Sequence, residues 1–352
     1  MNRITIILVS LLFTITSHAS LEWSQLPLDA VLQKSQQENK PVLAYIYADW
    51  CIYCKKLKKE TFAISYVQEK MNQYVLLKVN GDDDGLGREF VDKYGGGSFP
   101  TTIFLNSQGV EYNRAVGYFK PDPFVKVLEE NLSQENVYER LGKELEVASE
   151  TGKGFSKALM AYLEKNMDAT RFDKVQDYLE KYLPDPRLKD HLFTLRLMRG
   201  TIAYRQKDYK RSQTLLKVAL DSAESEEEFM NAVRWLGRAA MKLKQPKKRL
   251  EYYQLAIDKF GSYKAYNGYA WYAYKSKINL DLALDYAKTA VELSGEDAGV
   301  MDTLAHVHYA RKEFSMALDI SRKILLKDNS KSYQKAHKKY LKARKKQILA
   351  EI

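Results

Sequence analysis

The stretch Ala48-Asp49-Trp50-Cys51-Ile52-Tyr53-Cys54-Lys55 holds the only two cysteines of this 352-residue chain, three positions apart. It directly follows the nearly continuous apolar run Val42 to Tyr47, which is typical of a strand buried on both faces of a sheet. A Cys-x-x-Cys pair where a buried strand leads into a helix indicates a redox site. The helix N-terminus would stabilise a thiolate at Cys51, and Cys54, one turn later, could resolve a mixed disulfide.

Strand and helix patterns alternate on both sides of the cysteine pair. Two further strands are predicted at 74–79 and 101–105, and residues 106–109 indicate a hairpin turn after the last of them. Strands that alternate with helices imply an α/β sandwich. The helices are predicted at about 28–38, 51–60, 88–93 and 121–132.

From Glu135 onward the strand signal stops and every segment has a helical pattern. The motif Leu282-Ala283-Leu284-Asp285 recurs 34 residues later as Met316-Ala317-Leu318-Asp319. Helix pairs that repeat at this period resemble tetratricopeptide (TPR) repeats. The resemblance covers about Leu195 to Leu326 as four units, and 155–183 is a candidate degenerate fifth unit.

Aromatic side chains are frequent in the repeats. Most of them are expected to pack between helices, and the others to line a concave groove that holds an extended peptide or a partner helix. They are Tyr252, Tyr253, Tyr263, Tyr266, Tyr269, Trp271, Tyr272 and Tyr274.

The N-terminus has the pattern of an export signal. Arg3 precedes an apolar run from Ile4 to about Thr16, and Ser17-His18-Ala19 places small residues at a signal-peptidase site. This pattern predicts a signal peptide over residues 1–19 and a soluble periplasmic protein that begins at Ser20. The alternative is an uncleaved N-terminal anchor, although the run is shorter than the roughly 20 residues of a membrane-spanning helix.

The chain is basic, with a formal net charge of +11. Residues 327–352 hold nine Lys or Arg against two acidic residues, so this tail carries most of the excess. For an exported protein we expect no nucleic-acid partner, and acidic protein surfaces or anionic lipid headgroups are the better candidates. The alternative is a solvated lysine face on a terminal helix. Two cysteines also exclude a fold held together by many disulfides.

The residues around the cysteines resemble the thioredoxin superfamily. The resemblance is carried by Tyr47-Ala48-Asp49-Trp50-Cys51 with Cys54-Lys55, and by Phe99-Pro100-Thr101-Thr102. Within the superfamily, Lys40 to Leu132 is similar to the C-terminal periplasmic domain of the DsbD thiol:disulfide interchange proteins. The resemblance implies a thioredoxin fold, Cys51 as an exposed nucleophile and Cys54 as the buried resolving thiol. It also implies a cis peptide bond between Phe99 and Pro100, packed against the two sulfurs, and no cofactor.

Two positions depart from the DsbD-like pattern. The buried acidic residue six positions before the first cysteine is Tyr45 here, and a second acidic position is Lys58. Lysines flank the site instead, and we expect Lys55 and Lys58 to favour the Cys51 thiolate. This leaves an oxidant or isomerase as an alternative to a reductase. The competing interpretation is a solvated lysine face at residues 55–59.

Two kinds of metal site are alternatives to this interpretation. A zinc half-site at the cysteines lacks a second cysteine pair, and His306 and His308 point to different faces of a helix. The loop Asp82-Asp83-Asp84-Gly85 lacks the bidentate acid of a calcium loop, because Val91 occupies that position. We therefore expect no metal.

Together these patterns predict a periplasmic thiol:disulfide oxidoreductase in which Cys51 and Cys54 exchange disulfides and Trp50, Tyr53, Phe99 and Pro100 contact the substrate. The expected partners are thiols and disulfides of exported proteins, a DsbD-like membrane electron donor, and a protein bound in the groove of the repeats. The alternative is an envelope scaffold whose thioredoxin-like domain serves for docking. The predicted divisions are a signal peptide at 1–19, a thioredoxin-like domain at 20–134, a helical connector at 135–194 and TPR-like repeats with a basic C-terminal helix at 195–352.

Overall fold

The computed structural model describes residues 21–96 and 98–351, so the predicted signal peptide at 1–19 lies outside the described residues. The chain divides into two compact units. The first unit ends at Tyr178 and the second begins at Leu179.

A five-stranded mixed sheet forms the centre of the first unit, in the order β1-β3-β2-β4-β5. β1 and β2 run parallel to β3, whereas β4 runs antiparallel to both β2 and β5. The central position of β2 explains its continuous apolar sequence, because both of its faces are covered. The strands are β1 (Trp23–Ser24), β2 (Val42–Tyr47), β3 (Val75–Asn80), β4 (Thr101–Leu105) and β5 (Glu111–Val116).

Two hydrophobic clusters pack against the opposite faces of this sheet. Alternate residues of a strand point to opposite faces, and accordingly Leu43 and Tyr45 belong to one cluster whereas Ala44 and Ile46 belong to the other. The predicted α/β thioredoxin fold is confirmed. Five helices accompany the strands: α1 (Leu28–Glu38), α2 (Ile52–Glu60), α3 (Ser65–Met71), α4 (Leu86–Tyr94) and α5 (Pro121–Asn131).

A buried ion pair attaches β5 to α6 (Val137–Thr151) and to the end of α7 (Phe155–Asp168), which are followed by α8 (Phe172–Tyr182). Arg114 donates to both carboxylate oxygens of Glu111, from Nε at 2.7 Å and from Nη2 at 2.6 Å. The same guanidinium donates to the backbone carbonyls of Tyr94 and Asp168, and the Tyr138 hydroxyl of α6 donates to Glu111. The start of α6 and the end of α7 are thereby attached to the edge strand. The domain boundary predicted after residue 134 stays a prediction.

The second unit is built from helix pairs joined by short turns, after a 3-10 turn at Pro186–His191. The first helix of each pair begins at residue 192, 226, 263 or 298, so the repeat is 34 to 37 residues long. The pairs are α9 (Leu192–Arg205) with α10 (Tyr209–Asp221), α11 (Glu226–Lys242) with α12 (Pro246–Phe260), α13 (Tyr263–Ser276) with α14 (Leu280–Leu293), and α15 (Ala298–Ala310) with α16 (Phe314–Lys327), before a last helix α17 (Lys331–Glu351).

Small residues occupy the contacts between these helices, as the repeat pattern predicts. Ala283 and Ala317, which correspond across the 34-residue shift, are both fully buried, and so are Ala256 and Ala290. The helical array is therefore TPR-like, with tight packing at positions where a larger side chain would separate the helices. Within residues 21–96 and 98–351, no helix has both the length and the apolar character that a membrane span requires.

Candidate functional site

Cys51 and Cys54 are joined by a disulfide at the start of α2. Cys51 is the residue that caps the helix, and the Cys54 backbone N–H donates to its Sγ at 3.1 Å. A helix N-terminus and a donated backbone N–H both favour negative charge on a sulfur atom. This arrangement would stabilise the Cys51 thiolate once the disulfide is reduced.

The structure corrects one expectation about Cys51. The resemblance implied an exposed nucleophile, but Cys51 is only 4% exposed, against 3% for Cys54. In the disulfide form the Cys51 Sγ is bonded to the Cys54 Sγ and lies over the helix N-terminus, which turns it away from solvent. Attack on this sulfur requires access past the side chains that surround it.

The residues next to the two cysteines in sequence have exposed apolar side chains. Trp50, Ile52 and Tyr53 are 66%, 75% and 61% exposed, which is unusual for large apolar groups and typical of an interaction surface. The Trp50 ring meets the edge of the Phe99 ring at a centroid distance of 5.8 Å. Three of the predicted contact residues, Trp50, Tyr53 and Phe99, thus lie on or beside one surface.

The Phe99–Pro100 peptide bond is cis, as the resemblance implied. Pro100 is buried and directly precedes β4, whose first residue pairs with Ile46 near the end of β2. Because the cysteine loop also leaves the sheet at the end of β2, the fold brings the proline loop to the same edge as Cys51. A Cβ on Gly81 would lie 2.5 Å from the Phe99 ring, so only glycine leaves room for this ring position.

The acidic loop after β3 supports this surface. The Trp50 indole Nε1–H donates to the Asp82 carboxylate, and Asp83 accepts from the Gly87 backbone N–H near the start of α4. The sequence did not reveal the contact between this loop and Trp50. No group of three or more metal-ligating side chains occurs among residues 21–96 and 98–351.

Tyr45 lies beneath the disulfide at the position of the missing acid. Its hydroxyl donates to the Cys54 carbonyl at 3.2 Å, and burial raises its pKa above the ordinary value. The phenol therefore stays protonated at neutral pH and cannot accept a proton as a carboxylate would. A cavity of about 350 Å³ adjoins this ring, and its charged lining groups are Lys58 and Lys78.

The predicted pKa-modulating lysines lie on the exposed side of α2. Lys55 and Lys58 are exposed, and neither forms an ion pair among the described residues. Lys56 differs, because its Nζ lies 4.0 Å from Glu60 and over the Tyr118 ring. The influence of Lys55 and Lys58 on Cys51 stays a prediction.

The aromatic residues of the repeats divide between buried and partly or fully exposed positions, and a groove lined by the exposed ones stays a prediction. Tyr252, Tyr253 and Tyr269 are buried, and Tyr263 is exposed. Tyr266, Trp271, Tyr272 and Tyr274 are half-buried.

Comparison with known proteins assigns the first unit. Residues 28–132 match the family model described as a thioredoxin-like domain. The chain is 34% identical over 118 residues to the thiol:disulfide interchange protein DsbD of Pasteurella multocida (strain Pm70), covering 33% of this chain and 19% of that protein. A DsbD 1 of Pseudomonas aeruginosa is 33% identical over 103 residues, covering 27% of this chain and 17% of that protein. The chain thus spans about a fifth of the length of these relatives.

Solved structures are similar to each of the two parts of the chain. The reduced C-terminal domain of Neisseria meningitidis DsbD is 25% identical, covers 30% of this chain and 93% of its own, and has a TM-score of 0.27. YrrB, described as a TPR protein with an unusual peptide-binding site, is 18% identical, covers 57% of this chain and 97% of its own, and has a TM-score of 0.40. The family match, the sheet and the helix pairs together show that this chain combines a thioredoxin-like domain at residues 28–132, with a Cys-x-x-Cys disulfide, and TPR-like helical repeats.

Proposed function

We propose that this protein is a periplasmic thiol:disulfide oxidoreductase that uses Cys51 and Cys54. The observation that carries the proposal is the disulfide at the N-terminus of α2, with the Cys54 N–H on the Cys51 sulfur and exposed Trp50 and Tyr53 beside it. A structural clasp would gain little here, because closing so short a loop removes little entropy from the unfolded chain.

The exchange follows from these positions. In the reduced protein the Cys51 thiolate attacks a substrate disulfide, a Cys51–substrate disulfide forms, and one substrate sulfur leaves as a thiolate. Cys54 loses its proton to solvent and its thiolate then attacks the Cys51 sulfur, which releases the second substrate thiolate. Two electrons pass from the cysteine pair to the substrate, and the reverse sequence oxidises a dithiol.

The remaining roles belong to the same proposal. Trp50, Tyr53, Phe99 and Pro100 form the substrate-contact surface, and Lys55 and Lys58 favour the Cys51 thiolate. Substrates are thiols and disulfides of exported proteins, and a DsbD-like membrane protein is the electron donor. The repeats of the second unit hold a substrate or a protein partner. The proposal also includes a signal peptide at residues 1–19 and domain boundaries after residues 134 and 194.

A second function is favoured by the long helical array. Four helix pairs and a terminal helix are more than a substrate-exchange site needs, and helical repeats commonly serve as binding surfaces. In that case the protein is an envelope scaffold, and its thioredoxin-like domain serves mainly for docking.

Trapping of mixed disulfides separates the two functions. Replacing Cys54 with Ala removes the resolving step, so substrates should stay attached to Cys51. The measurement is mass spectrometry of disulfide-linked adducts from the native host, with a Cys51→Ala/Cys54→Ala protein as the matched control. Adducts on Cys54→Ala that the double variant lacks support the oxidoreductase. If neither variant yields disulfide-linked adducts, the oxidoreductase proposal is overturned in favour of the scaffold.

A further inference from the structure

Three arginines in the second helix pair of the repeats lie close together without an acidic partner. Arg234 and Arg238 are one turn apart on the exposed side of α11, and Arg249 lies on α12. The Arg249 side chain packs over Gly237, the residue directly before Arg238 on α11, so the arginines lie in neighbouring parts of this helix pair. No carboxylate forms an ion pair with any of the three in the part of the chain that the structure describes.

Arg249 stands where the other repeats have a small residue. It is the fourth residue of α12, and the fourth residues of α10, α14 and α16 are Ser212, Ala283 and Ala317. All three of these are fully buried. Helix packing in this array therefore calls for a small side chain at the position, and the arginine is an exception that packing alone does not explain.

The geometry of Arg249 leaves its charge uncompensated. Its aliphatic stem passes over Gly237 of α11. A Cβ atom added to this glycine would lie 3.1 Å from the Cγ and 3.2 Å from the Nε of Arg249. The Nε atom is buried and has no hydrogen-bond partner. The guanidinium carbon lies 3.2 Å from the centre of the Tyr272 ring on α13, so the ring holds the cation by one face. Stacking of this kind leaves the in-plane N–H donors of a guanidinium available to a ligand.

An aromatic ring also contacts Arg238. The Arg238 guanidinium lies 4.4 Å from the centre of the Trp235 ring. Arg234 lies one turn before Arg238 on the same exposed side of α11. The Tyr272 ring under Arg249 packs on the Tyr253 ring at a centroid distance of 5.2 Å. Arg249 and Arg238 thus each contact an aromatic ring, and Arg234 adds a third positive charge one helical turn from Arg238.

We propose that Arg234, Arg238 and Arg249 form a binding site for the carboxylates of an acidic segment of a protein partner. A carboxylate matches the planar fork of arginine, and the neighbouring rings suit the apolar parts of a peptide. The formal net charge of +11 disfavours a second copy of this chain as the occupant. The inference rests on the proposed role of the repeats in partner binding, and it adds the location and the chemistry of that contact.

Fluorescence anisotropy with labelled peptides tests the site on the full chain. The probe is a decapeptide with four glutamates and a free C-terminus, compared with the same peptide with glutamines and with its C-terminal amide. We expect the glutamate peptide to bind more than tenfold tighter than the glutamine peptide, and Arg238→Gln/Arg249→Met to remove this preference. The amide shows whether side-chain or terminal carboxylates are bound. Arg211→Met, which removes an exposed arginine of α10, is the matched control and should change the affinity less than twofold.

Several results would overturn the site. Equal binding of the glutamate and glutamine peptides would do so, as would an equal loss in Arg211→Met. Displacement of the peptide by an equimolar single-stranded oligonucleotide would assign the cluster to nucleic acid. Arg249→Met should unfold at the wild-type temperature or above it. If the variant loses affinity and also unfolds at a lower temperature, Arg249 stabilises the fold and does not serve as a binding residue.

The same preparation separates this inference from the proposed redox function. Reduction of insulin by the wild-type protein is measured beside peptide binding. Intact insulin reduction without preference for the glutamate peptide overturns the arginine site alone. Peptide preference without insulin reduction overturns the redox function alone and leaves the site in place.

Discussion

Arg114 in the first unit and Arg249 in the second are both arginines largely enclosed by the protein, but their surroundings differ. Arg114 is 1% exposed at its side chain and donates to both oxygens of Glu111 and to two backbone carbonyls. Arg249 has an aromatic ring beneath it and a buried Nε without a hydrogen-bond partner.

The difference separates two uses of a buried charge. A cation that is paired with a carboxylate and bonded to backbone carbonyls fixes the structure around it, and here it holds α6 and the end of α7 to the edge strand β5. A cation without an acidic partner lowers stability unless a ligand compensates it. The first arrangement belongs to the framework of the thioredoxin-like unit, and the second marks a surface that can accept an anion.

Removing each arginine should have opposite consequences for stability. Arg114→Met leaves the Glu111 carboxylate buried without its cation, and we expect the first unit to lose about 3–5 kcal/mol of unfolding free energy. Arg249→Met removes an uncompensated charge, and the second unit should keep its unfolding free energy or gain about 1 kcal/mol.

Urea unfolding is monitored by hydrogen exchange in peptides from each unit, so that the stability of the two units is measured separately. Arg140→Met, which removes an exposed arginine paired with Glu144, is the control and should cost less than about 1 kcal/mol. A larger loss for Arg249→Met than for Arg114→Met would contradict the comparison.

Two buried tyrosines allow the same comparison with a neutral group. The Tyr45 hydroxyl donates to the Cys54 carbonyl, whereas the Tyr252 hydroxyl is buried without a hydrogen-bond partner. We expect Tyr45→Phe to cost about 0.5–1.5 kcal/mol and Tyr252→Phe to cost nothing or to stabilise the second unit. Thermal unfolding of the two variants beside the wild type provides the measurement. Equal losses in both would show that the missing partner of Tyr252 has no energetic consequence.

The smallest expected effect is on alkaline stability. Burial, with a smaller contribution from the charge of Glu111, raises the pKa of Tyr94 from 10.0 to about 12. A raised folded-state pKa gives stability that is present below pH 10 and is lost as the pH rises toward 12. At pH 10 the loss is about 0.4 kcal/mol, because half of the unfolded molecules are ionised at this residue. Urea unfolding at pH 8 and pH 10 should show a smaller difference in Tyr94→Phe than in the wild type, and an identical difference would refute the assignment.

Much of the fold was predictable because its signals are local. The apolar run of β2, the Cys-x-x-Cys pair, Phe99-Pro100 and the 34-residue recurrence each lie within a short stretch or at a fixed period. Three elements of the first unit were not predicted: β1 has only two residues, α3 has only seven, and β5, of which only the preceding hairpin turn was indicated, has six. Segments of that length show too few turns or alternations for periodicity to reveal them.

The contacts that shape the site were less predictable because they join distant parts of the chain. The Trp50–Asp82 and Arg114–Asp168 contacts span 32 and 54 positions, and no local pattern indicates them. The burial of Cys51 depends on the side chains packed around it, which no local pattern indicates. Arg249 did leave a signal, since an arginine occupies a position where the aligned repeats have serine or alanine, but its stacking on Tyr272 required the structure.

The central claim is that Cys51 and Cys54 form a reversible redox pair and not a permanent clasp. Equilibration of the full-length protein with glutathione buffers of graded potential, followed by thiol alkylation and mass measurement, tests it most directly. We expect one two-electron transition, with both cysteines alkylated together on its reducing side. A pair that stays oxidised even in excess dithiothreitol, in protein shown to be folded, would contradict it.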